Sequence, residues 1–173
     1  MEGDQLSHNN IEKNLYRLLM KKILILLFVL SLNNQAFAAG GDSSSDSSNP
    51  QKEAQNLVKR GKKLETKGKN EKALKLYDKA YKKLLEANKL DSKNPDILNY
   101  LGFTLRKAGK YEQAEKYYLQ GLEIKPDHNG INEYLGELYV QTQRMDLAKE
   151  RLAVLKDCNC EEYKELEEVI NNN

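Results

Sequence analysis

From residue 51 onward, apolar residues return every three or four positions, the spacing that lines one face of an α-helix. Leu57, Gly61 and Leu64 lead into Gly68, and Leu98, Leu101 and Leu105 lead into Gly109. Between those runs, Tyr77, Ala80, Tyr81, Leu84, Leu85 and Ala87 form one unbroken stripe, which predicts a long helix over 70–90. Near the end, Tyr163, Leu166 and Ile170 lie on one side of a segment whose other positions are Glu161, Glu162, Glu165, Glu167 and Glu168, which predicts a last amphipathic helix. Gly68 and Gly109 mark tight turns, and Pro95 and Pro126 mark the places where one helix stops and another starts.

The first fifty residues follow a different pattern. Ile23 to Leu32 holds only Ser31 as a polar residue, with Met20-Lys21-Lys22 before it and Asn33-Asn34-Gln35, then Ala36-Phe37-Ala38, after it. Basic, apolar, polar and small-x-small segments in that order make a signal peptide over 20–38. Its ten apolar residues span ~15 Å as a helix, about half of a bilayer core. Cleavage after Ala38 and a periplasmic location are expected; the alternative is an N-terminal anchor in the inner membrane. Glu2, Asp4 and Glu12 are out of place ahead of an export signal, so residues 1–19 read as an upstream mis-start. Gly40 to Asn49 has no apolar residue, and 39–50 reads as a flexible Ser/Gly linker.

The helical part repeats itself. Gly102 and Gly136 stand 34 positions apart, as do Leu101 and Leu135, and Ala114 and Ala148. Gly61 and Ala73 lie 41 positions before Gly102 and Ala114. This period, with Leu98, Leu101, Gly102, Leu105, Gly109, Tyr111, Ala114, Tyr118, Leu122 and Pro126 in the middle copy, resembles the tetratricopeptide repeat family. The resemblance implies an all-α, right-handed α-solenoid of three helix-turn-helix repeats, about 51–94, 95–128 and 129–157. Residues 158–173 then supply a Cys-x-Cys turn, a capping helix and a tail, for about seven helices in all. Gly61, Gly102 and Gly136 on the first helices and Ala73, Ala114 and Ala148 on the second define the repeat, since small side chains let the two helices meet. The seven extra residues of the first copy are close to two α-turns, so its second helix lengthens without rotating its buried face.

Charge and chemistry narrow the function. The 28 Lys and Arg nearly balance the 26 Asp and Glu, and no concentrated basic face points to nucleic acid. The balance is uneven along the chain: residues 50–93 hold 14 basic and 6 acidic groups, residues 133–173 hold 5 and 10. The Lys-rich end gives at most a weak attraction to an anionic membrane. No nucleophile–base set, phosphate loop or metal-ligand spacing is visible, so neither catalysis, cofactor nor metal is expected. The expected function is an adaptor for another protein. In the resembled family the first helices line a concave groove, which here assigns Lys62, Asn99, Phe103, Arg106, Glu133 and Glu137 to partner binding. Phe103 is either an anchor for the partner or a filler between repeats. Tyr100, Gly130 and Tyr134 stand where a clamp for acidic C-terminal peptides would need asparagine or a cation, which argues against that specialisation. The alternative class is thiol chemistry: Cys158 and Cys160 are a possible disulfide, as a staple for the turn or as a redox pair.

Overall fold

The computed structural model describes residues 49–173. The expected upstream extension, the signal segment and the linker up to residue 48 lie outside the described residues. Seven helices are present among the described residues, with no strand: α1 Pro50–Glu65, α2 Asn70–Leu90, α3 Pro95–Lys107, α4 Tyr111–Ile124, α5 Asn129–Gln141, α6 Met145–Leu155 and α7 Glu161–Asn171. None is long and apolar enough to cross a membrane.

The first helix of each pair starts with a side-chain cap. Asn49 accepts from the N–H groups of Gln51 (3.0 Å) and Lys52 (3.3 Å), with Pro50 at the first helical position. The helix therefore begins at the end of the expected linker, because Asn-Pro is itself a start signal. Asn94 and Pro95 repeat the device for α3, with bonds to Asp96 (3.0 Å) and Ile97 (3.3 Å). His128 takes the same place for α5, its Nδ1 accepting from the Ile131 N–H at 3.2 Å. The second helices start without side-chain caps, straight out of tight turns in which Lys69, Lys110 and Arg144 donate their N–H to the carbonyls of Leu64, Leu105 and Tyr139 (2.9, 3.0 and 2.7 Å). Two of those turns use glycine at positive φ, Gly68 at 68° and Gly109 at 74°; the third uses Gln143 at 61°.

Ala73, Ala114 and Ala148 are completely buried. Opposite them, a methyl group added to Gly61 or Gly102 would overlap the ring of Tyr77 or Tyr118. In the first two repeats the glycine is thus a socket for a tyrosine of the same repeat's second helix. The third repeat departs from the expected scheme. Leu152 stands where the tyrosine would be and is only half-buried. The space over Gly136 is filled by Leu166 of α7, whose Cδ2 lies 2.5 Å from where a Cβ would sit. A leucine is too short to fill the seat of a phenol ring, so the capping helix fills it instead.

Neighbouring first helices pack on one another in the order α1, α3, α5, α7, whereas the second helices α2, α4 and α6 do not touch each other's backbones. The layer therefore curves with the first helices inside. Tyr81, Tyr117 and Tyr134 bridge the two halves of the core and make it continuous. Cys158 and Cys160 are joined in a disulfide in the turn between α6 and α7.

Candidate functional site

The inner face is set by register. On α3, Asn99, Phe103 and Arg106 lie at i, i+4 and i+7; Arg106 faces Glu137 and Phe103 faces Tyr134 of α5, while Asn99 lies beside Gly130. Arg106 Nη1 is 2.6 Å from Glu137 Oε2, its side chain 2% exposed and that of Glu137 19%. Phe103 meets Tyr77 edge-on at 5.3 Å and Tyr134 at 5.1 Å between centroids. Lys62 reaches across from α1: its Nζ donates to the Tyr134 hydroxyl at 2.5 Å and lies 4.9 Å from the Tyr134 ring centroid and 5.3 Å from that of Phe103. Such cation–ring contacts contribute about 0.5–2 kcal/mol. Lys107 closes the row, 3.0 Å from Glu65, which also accepts from the Tyr77 hydroxyl at 2.8 Å.

The six residues assigned to the groove do converge, but most are not available as expected. Phe103 is 1% exposed, so it fills space between repeats and offers no ring to a partner. Asn99, Arg106 and Glu133 are likewise buried. The physical reason is that curvature presses α3 and α5 together on this side, and a side chain at the centre of the row meets both neighbours. Lys62 and Glu137 remain accessible, together with Lys107, Tyr134 and Glu165. Lys107 and Glu165 were missed by the sequence reading. Lys107 sits four residues after Phe103, one turn along the same face, which is a signal that could have found it.

Glu133 carries unusual electrostatics. Burial, the neighbouring carboxyl of Glu165 and the charge of Glu137 push its carboxyl up to about 10, with Lys62 opposing the shift. Its carboxyl is thereby biased toward the neutral form, and Arg106 balances Glu137. The pair of acidic groups expected on α5 therefore presents much less negative charge than its sequence suggests. Among the described residues no three His, Cys, Asp or Glu side chains are placed to hold a metal ion.

Residues 95–128, the span of α3, α4 and the following turn, match the family model of the tetratricopeptide repeat. The TPR repeat-containing protein PA4667 of Pseudomonas aeruginosa is 38% identical over 61 residues, covering 35% of this chain and 10% of that protein. The human Protein O-mannosyl-transferase TMTC3 is 28% identical over 80 residues, covering 46% of this chain and 9% of that protein. This chain thus spans about a tenth of the length of these curated relatives. Among solved structures, the first TPR domain of human RPAP3 superimposes with a TM-score of 0.50 at 19% identity, over 71% of this chain and 95% of that one. That likeness establishes the helical-repeat fold.

Proposed function

We propose that this tetratricopeptide-repeat chain is an exported protein-interaction module that holds a segment of another protein against its inner, first-helix face. The observation that carries the reading is the continuous inner row of α1, α3, α5 and α7. It presents Lys62 and Lys107 toward one end and Glu137 and Glu165 toward the other, around the half-buried Tyr134. Packing of Phe103 and Arg106 beneath that row fixes it before any partner arrives, which lowers the ordering cost of binding. Its opposite charges favour one orientation of a bound segment. Export rests on the segment Met20 to Ala38. The Cys158–Cys160 bridge fits an oxidising compartment, and its place in a turn suits a staple better than a redox pair.

The test is affinity capture from an envelope extract, followed by titration calorimetry of the captured partner against wild type, Lys62→Ala and Lys107→Ala. Each variant is expected to melt near wild type and to bind about tenfold more weakly, a loss of about 1.4 kcal/mol. Unchanged affinity in both would remove the inner face as the site. N-terminal sequencing of the mature protein should begin at Ala39, whereas a chain retaining Ile23 to Leu32 would support the anchor.

A further inference from the structure

On the outer side, α2 and α4 both pack on or beside α3 but not on each other, which leaves an open groove between them. Its floor is Thr104 and Leu105 of α3 and Ala108 just past that helix's end, its α2 wall is Leu74, Tyr77, Asp78 and Tyr81, and Lys110 also lines it. A second cavity on the same side shares Tyr81 with it and lies between Asn88 of α2 and Gln113, Lys116, Tyr117 and Gln120 of α4. The two cavities enclose about 280 and 420 Å³. Leu74 is 44% exposed, and the Asn88 side-chain oxygen has no hydrogen-bond partner.

We propose that this groove is a second docking surface, and that its occupant is an acidic amphipathic helix of a partner protein. The proposal goes beyond the inner-face reading and stands independently of it. Length argues for a helix: Leu74 to Asn88 covers ~21 Å of α2, room for about 14 residues of a helix lying alongside. Chemistry argues for an apolar stripe, since Leu74, Tyr81 and Tyr117 offer apolar surface while Gln113, Gln120 and Asn88 offer amides at the edge. Charge decides the sign. The groove and the adjoining ridge of α2 carry Lys75, Lys79, Lys82, Lys110 and Lys116 against Glu71 and Asp78. Lys82 pairs with Asp78, while Lys110 and Lys116 have no carboxylate partner among the described residues. A second copy is a poor occupant for this reason: two such faces would bring ammonium groups against ammonium groups.

Three synthetic 14-residue peptides test it against the full chain, followed by amide NMR shifts. One is a Leu-striped helix with Glu at its polar positions, one carries Lys in place of Glu, and one scrambles the acidic sequence. The acidic helix is expected to give saturable shifts at Tyr81, Gln113, Tyr117 and Gln120. It should bind about tenfold more weakly to the Lys110→Glu/Lys116→Glu variant, whose melting temperature is checked alongside. Equal binding of the acidic and basic peptides, no saturable shift at millimolar peptide, or shifts confined to Lys62, Tyr134 and their neighbours overturns the proposal. The last of these outcomes would leave the inner-face reading in place.

Discussion

Single residues show where the repeat has been stretched. Gln143 holds a left-handed backbone that Gly68 and Gly109 take at the corresponding turns. A side chain in that region costs roughly 1–2 kcal/mol, part of which glycine regains against its own greater freedom when unfolded. Gln143→Gly should therefore stabilise the protein by about 1 kcal/mol, or roughly 3–6 °C in Tm. A Tm that stays put or falls would mean that the glutamine makes a compensating contact. Glu133 is the second such residue. Its folded-state carboxyl titrates far above the ordinary 4.5, up to about 10, because burial and Glu165 disfavour its charge. The folded protein then holds a proton that the unfolded chain releases, so stability is full below pH 4.5 and declines as pH rises toward 10. Glu133→Gln keeps a neutral hydrogen-bonding group and removes that decline. Denaturant titrations from pH 5 to 9 should find the variant favoured by on the order of 1–3 kcal/mol at the upper end. A parallel fall in both proteins would show that some other group sets the slope.

At the scale of elements, the capping helix is part of the third repeat's core. Leu166 is fully buried over Gly136, and α7 packs on both α5 and α6. Leu166→Ala should cost about 2–5 kcal/mol, as an emptied core site does. Amide exchange should quicken first in α6 and α7 and least in α2; equal loosening of all helices would show that the cap is not local to the third repeat. Much of this architecture was legible beforehand. The stripe from Tyr77 to Ala87 and the turn signals around it gave the long α2, and the Glu-rich stripe gave α7. Leu152 was visible as the third repeat's counterpart of Tyr77 and Tyr118, yet nothing in periodicity says which element fills a seat left by a shorter side chain.

Across the whole molecule, the candidate site was half legible. The family resemblance put Asn99, Phe103 and Arg106 on the inner face, where Phe103 and Arg106 meet α5. Accessibility was not legible, because a helical stripe gives the direction of a side chain and not how closely the next helix approaches. The protonation of Glu133 depends on the same closeness, with the added contribution of α7. Charge could be counted from the sequence, but the α2–α4 groove follows from curvature, which opens the outer side as it closes the inner one. The chain is also built of parts that differ in self-sufficiency. Residues 95–128 carry both the Gly102 socket and the Tyr118 ring that fills it, while residues 129–157 carry a socket whose plug lies beyond them, in Leu166. The array can thus grow by duplicating its middle unit, each new copy arriving complete. A duplicated third unit would leave one glycine uncovered unless a copy of α7 came with it, so that unit is duplicated whole only as residues 129–171.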